Sequence, residues 1–212
     1  MSDRIGDWSQ TFTGRQFWPL DPRAGDFDIR DVAHSLALQC RFAGHCRVFY
    51  SVGEHCVRVS WLVEDALAGL GHDSPETYAA DVVRPLKRQL LGYAAIEHGI
   101  ARPMETWFGL APGAFDDPAV KRADEVLLMT EARDLMAPPP AAWTFAQGAP
   151  ATPLPRRIRP WGWRHAEVRY LARYHELRGV RGWWRAALRG RPALALGFIA
   201  WALHVLVWGR RG

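Results

Sequence analysis

The sequence predicts an all-α fold: a helical bundle with a short irregular N-terminal lead-in and an apolar C-terminal helix. Three observations carry that expectation. Apolar residues recur at helical spacing in several separate segments. No segment sustains the strict alternation of a half-buried strand. The first 27 residues follow neither period and are rich in aromatic and turn-forming residues, among them Trp8, Phe12, Gly14, Phe17, Trp18, Pro19, Pro22 and Gly25.

After that hairpin-like lead-in, the spacing of Ile29, Val32, Ala33, Leu36 and Cys40 predicts a helix over 28–42, ended by Gly44. The pattern Val52, Cys56, Val59, Leu62 and Val63 predicts a second helix over 51–68, with Ser51 and Glu54 as a capping box at its start. A third runs over 66–80, and Pro85 breaks whatever follows it. Further helices are expected at about 90–108 and 118–136. The proline-rich stretch 137–163 reads as a loop or semi-extended linker. A last, polar helix over 164–178 is expected to be too charged for burial. The chain divides into a domain over 1–178 and a basic, aromatic and apolar segment over 179–212.

Composition limits the function classes. A hydrophobic fraction of 49% and a charged fraction of 23% fit a globular domain. The net charge of +5 is unevenly placed: residues 156–212 hold thirteen Arg and two acids, Glu167 and Glu176. The remainder is net acidic, so binding to a nucleic-acid duplex is not expected. Cys40, Cys46 and Cys56 form no CxxC pair, so they cannot make a zinc knuckle and do not suggest a disulfide scaffold. The start, MSDRIGDWSQ, has no apolar h-region, so a cytoplasmic location is expected.

One group of residues points to chemistry. His72 and Asp73 are adjacent near the end of an apolar helical stretch. Neighbouring helical residues diverge by about 100°, so both reach one ion only if it sits over the helix edge, with further ligands from other helices. His55 stands in mid-helix, and Asp124 interrupts an apolar helical face, where a carboxylate is costly unless paired or coordinating. The order SVGEH, GHD and KRAD, with HDSPETYAADVVRPLK, TFTGRQFWPLDP and CRFAGHCRVFYSVGEH, resembles the HD-domain phosphohydrolases. It is similar to the small bacterial 5′-deoxynucleotidases and their prophage and phage relatives, which include dATP triphosphohydrolases. The resemblance runs from about residue 10 to 178.

That resemblance implies an HD-domain bundle in which His55, His72, Asp73 and Asp124 bind one divalent transition metal. Two imidazoles and two carboxylates suit Mn, Co, Zn or Fe without choosing among them. Glu76 lies one helical turn beyond His72 and corresponds to the general acid/base. Asp81 would contact the sugar, and Lys87 and Arg41 the phosphate. The spacing from Arg41 to His55 differs by one residue from that of the bacterial nucleotidases, which makes Arg47 the alternative. Phe42 and Trp18 are candidates to stack on base or sugar. For His34 and His45, structural roles are favoured over lining the pocket.

The implied activity is hydrolysis of a deoxynucleoside 5′-monophosphate, with a nucleotide as the partner and a homodimer left open. Cleavage of a dNTP to triphosphate is one alternative; a non-catalytic, membrane-tethered nucleotide-binding module is another. The run 192–208, PALALGFIAWALHVLVW, is flanked by Trp and Arg as membrane anchors are. As a helix it spans about 25 Å, short of the ~30 Å hydrocarbon core, so packing on protein is the competing expectation.

Overall fold

The computed structural model describes residues 3–141, 143 and 151–179. Within these it is mostly helical, and no described helix is long and apolar enough to cross a membrane. The expected C-terminal apolar helix and most of the 179–212 segment lie outside the described residues.

The lead-in is a small antiparallel pair, β1 (Ser9–Gln10) and β2 (Gln16–Phe17), closed by a turn through Gly14 at positive φ. Arg4 fastens it by a two-pronged contact with Asp26, with N–O distances of 2.7 and 2.8 Å. Helix α1 (Ile29–Leu38) starts at Asp28, whose carboxylate accepts the Arg30 amide. It ends six residues before Gly44, because Gln39, Arg41, Tyr50 and Val52 pair their backbones instead. The predicted Cys40 position therefore falls in a bridge to Ser51, not in the helix.

The continuous helix expected over 51–68 is two helices, α2 (Val52–Val59) and α3 (Ala66–Gly71). Asp65 starts α3 by accepting the Ala68 amide. The break lets α3 fold back on α2: a Cβ on Gly69 would lie 3.2 Å from the Ser60 Cα and 2.6 Å from a Val63 methyl. Ser51 caps α2 through the Glu54 amide, but Glu54 does not return the bond; its carboxylate holds Arg58 and the Trp161 amide instead. The expected capping box is thus half made.

The helix expected over 66–80 continues only as α4 (Glu76–Ala79), and Pro85 sits in the first turn of α5 (Arg84–Lys87), where a missing N–H costs nothing. Helices α6 (Tyr93–Phe108) and α7 (Pro118–Leu135) lie where the spacing puts them. Residues 151–161 form an extended strap rather than a free linker. Leu154 and Ile158 donate amides to Thr130 and Asp134 of α7, and Trp161 reaches Glu54.

Helix α8 (Trp163–Leu177) overturns the expectation of an exposed last helix. It buries Ala166, Val168, Tyr170, Leu171 and Ala172 against α1 and α2. Its polar groups tolerate this because Arg173 donates to Ser60 and Glu176, Glu167 pairs with His34, and the Tyr170 hydroxyl donates to the Leu70 carbonyl while bonded to Ser74. The core joins Val32, Leu36, Val52, Cys56, Leu70, Met104, Phe108 and Tyr170. A second cluster, with Tyr50, Val59, Leu127 and Leu135, seats α7 on α2. Gly53 permits the α1–α2 approach, since a Cβ there would stand 3.2 Å from the Ala37 amide nitrogen.

Candidate metal centre

The centre forms where α2, the end of α3 and α7 meet. His55 sits one turn into α2 and is wholly buried. His72 caps the C-terminus of α3, and Asp73 follows it. The two Nε2 atoms face each other at 3.3 Å. Asp73 lies 3.6 Å from His55 Nε2 through Oδ2 and 3.3 Å from His72 Nε2 through Oδ1. Ligand atoms of these three residues all lie within 4.8 Å of one another. Asp124 of α7 meets the group through His55, with Oδ1 3.2 Å from Nε2, while its Oδ2 accepts from Arg84 at 3.0 Å.

The outer contacts orient the rings. His55 Nδ1 is 2.7 Å from Glu131 Oε1, and His72 Nδ1 is 2.9 Å from the Gly69 carbonyl. Both outer partners are acceptors, so each Nδ1 carries the proton and donates. In the neutral rings this turns both Nε2 lone pairs inward, as metal-ligating histidines require. Two inward lone pairs and the Asp73 carboxylate form a group that could hold a metal ion, while Asp124 stands outside that triad, against His55 and Arg84.

Charge balance points the same way. Asp73, Asp124 and Glu131 face two guanidiniums: Arg41, which lies 3.3 Å from Asp73, 3.9 Å from Asp124 and 3.1 Å from Glu131, and the more exposed Arg84, 3.0 Å from Asp124. Burial and Arg41 push the His55 imidazole down, but Glu131 and Asp124 outweigh them and raise it to about 9. Burial raises the Asp124 and Asp73 carboxyls; the facing histidines and Arg41 overcome it and hold both below the usual range. Glu131 is likewise held down against its burial, by Arg41 and His55. Without a metal, a proton on His55 supplies the positive charge that the carboxylates attract.

On the side of α4, Glu76 begins the helix as a residue 8% exposed, with its Oε2 buried and without a hydrogen-bond partner. Burial, with Asp73 and Asp81 adding repulsion, pushes this carboxyl well above the usual range. Asp81 is half-buried and raised by the same two causes, burial first and Asp73 opposing, with Arg41 pulling the other way. Gln39 ties this side to α1. Its amide donates to the Glu76 carbonyl and Ser35, and its oxygen accepts the Asp81 amide.

Thus Arg41 joins the cluster, whereas Arg47 does not: its backbone and guanidinium bond the carbonyls of Leu135 and Met136 at the end of α7. Phe42 lies beside Arg41, whose guanidinium carbon is 5.6 Å from the ring centre, and faces Trp143. Lys87 is bonded to Glu97 and stands over Tyr93 rather than turning to the cluster. Trp18 lies under Arg4 in the lead-in and does not enter the cluster's network. His34 stacks on Phe12 and pairs with Glu167, a structural role, and His45 is exposed. Glu131 is the residue that sequence reading missed. It stands seven residues after Asp124, two turns along the same face of α7, and that spacing was the available signal.

Fold and site together define a mostly helical protein with a partly buried histidine–carboxylate cluster that could hold a cation. The chain belongs to the family of the uncharacterized protein YfdR of Escherichia coli (strain K12), with which it is 38% identical over 174 residues, covering 81% of this chain and 96% of that protein. The uncharacterized protein RCAP_rcc00048 of Rhodobacter capsulatus is 32% identical over 191 residues, 80% of this chain and 95% of its own length. No family model matches the chain.

Proposed function

We propose that this chain is an HD-domain, divalent-metal-dependent phosphohydrolase acting on (deoxy)nucleotides, with a deoxynucleoside 5′-monophosphate as the first-choice substrate. The observation that carries this reading is the pair of facing Nε2 atoms, 3.3 Å apart, with Asp73 beside both and Asp124 beside that of His55. His55, His72, Asp73 and Asp124 are the residues assigned to hold the ion. A divalent ion in such a set polarises a phosphoryl oxygen and acidifies a water.

The chain's own residues supply the rest. Glu131 holds the His55 ring in one tautomer. Arg41 places a buried positive charge beside the cluster, where an incoming phosphate adds negative charge. Burial and the repulsion of Asp73 and Asp81 raise the Glu76 carboxyl well above the usual range, which suits it to give a proton to the departing sugar oxygen. Asp81, half-buried and facing the same space, is assigned to the sugar, and Phe42 to the base or sugar edge. Lys87 would have to leave Glu97 to meet a phosphate, so its part is the weakest.

The test is direct. Purified full-length protein is incubated with each dNMP and dNTP under Mn, Co, Zn or Mg, and the phosphate species released is identified. Orthophosphate from dNMPs supports the reading, and triphosphate from a dNTP moves the substrate while keeping the centre. No release with any metal, from protein shown to bind one, overturns it.

A further inference from the structure

Away from the cluster, large exposed aliphatic side chains gather in one stretch: Val83, Leu86, Leu90, Leu91 and Ile96. Val83 precedes α5, Leu86 lies in it, and Leu90 and Leu91 follow in the turn that leads to α6. The first two turns of α6, YAAIEHG, extend this surface, with Ala94, Ala95 and Ile96 exposed. That half-helix starts at Gly92 in the left-handed region without a side-chain cap, and it contains Gly99. Short helices of this kind owe their stability to packing, and so continuous an aliphatic surface marks a docking face.

We propose that the face is covered by residues 192–208 of the same chain. Where the described chain ends supports this. Arg178 donates to the Phe108 carbonyl at 2.9 Å, so α8 exits beside the C-terminal end of α6. Ile96 lies twelve residues back along that helix, about 18 Å away. The twelve residues 180–191 can extend to ~40 Å, so reach does not limit the contact. Read as a helix, the run 192–208 is about 25 Å long, close to the about 24 Å of α6. At seventeen residues, with His204 within it, the run is short for a membrane span and suits a protein face. Tethering gives the segment a local concentration in the millimolar range, which a second copy at micromolar concentration does not match.

The test is hydrogen–deuterium exchange on full-length protein in detergent-free buffer, with mass measured by light scattering and with and without anionic phosphatidylglycerol vesicles. Expected is a monomer in which peptides covering 83–98 and 192–208 are both protected without vesicles. The triple substitution L86E/L91E/I96E should speed exchange in both by at least tenfold and leave 118–135 unchanged. The reciprocal F198E/L203E should do the same to 83–98, which keeps the test decisive if the first variant folds poorly. Protection of 83–98 that grows with protein concentration in a dimer overturns the proposal in favour of a second copy. Protection of 192–208 only with vesicles, while 83–98 exchanges freely, overturns it in favour of a membrane.

Discussion

The two sides of the histidine–carboxylate cluster are built differently. On the α2–α3–α7 side, His55 and Glu131 are wholly buried and Arg41 nearly so, and their polar groups engage one another. On the α4–α5 side, Glu76 keeps an unpartnered buried oxygen and Lys87 is occupied by Glu97. A preorganised ligand side and an incompletely satisfied facing side are what a site needs if one half holds an ion and the other awaits a substrate. The contrast sets the order of expected effects.

The largest effect is expected at the ligands. His72→Ala or Asp124→Ala should take bound metal from one ion per chain to none and bring phosphate release to background, as metal analysis and turnover assays would show together. Retained metal in both variants would break the comparison at its base. On the opposite side, Glu76→Gln should keep the metal and lower kcat by about 10²–10⁴-fold, the usual weight of a positioned proton donor. Unchanged kcat would return Glu76 to a structural part.

Glu131→Gln tests the orienting shell. Metal affinity, read by competition with a chromophoric chelator, should fall by about 10–100-fold, with kcat largely recovered at saturating metal. Equal losses at all metal concentrations would mean that Glu131 serves the fold instead. Lys87→Ala should be the mildest, changing KM by less than about fivefold, because its ammonium is held by Glu97 away from the cluster.

The imidazole gives a pH test. His55 is raised from 6.5 to about 9 in the folded, metal-free chain. A raised basic group contributes stability that is present below the unfolded value and lost as pH rises through the folded one. The melting temperature of metal-free protein should therefore decline from pH 6.5 through 9. Metal needs the neutral ring, so the stabilisation on adding it should grow over the same interval. A flat metal-free profile would deny His55 its charged pairing.

Much of the fold was legible because local signals agreed with tertiary packing. Asp28, Ser51 and Asp117 cap helices where the apolar periods begin. The break between α2 and α3 was missed because the apolar spacing runs through it. What decides there is the fold-back that brings Gly69 onto Ser60, a contact outside the reach of periodicity. The burial of α8 was misread because Arg and Glu counted as solvent-facing, although Ala166, Tyr170 and Leu171 share an inward side. At the site, the adjacency of His72 and Asp73 and the misplaced Asp124 were visible in one dimension. Glu131 was not, since a Glu on a charged helix resembles any solvated face until His55 and Arg41 are seen against it.

The backbone rungs around Cys40 and Ser51 bear on how such chains should be aligned. Arg41 donates its amide to Tyr50 and Val52 donates to Gln39, so residues 40–51 form a noose drawn shut at its neck. Arg41 sits at the neck and His55 one turn beyond it, while Ala43, Gly44, His45 and Arg47 ride on the exposed bight. A residue gained or lost between the neck and Arg47, whose amide is tied to the Leu135 carbonyl, changes the length of the bight while the paired neck holds both ends in place. Counting residues between the arginine and the histidine therefore measures the length of the bight, not the distance between the two groups.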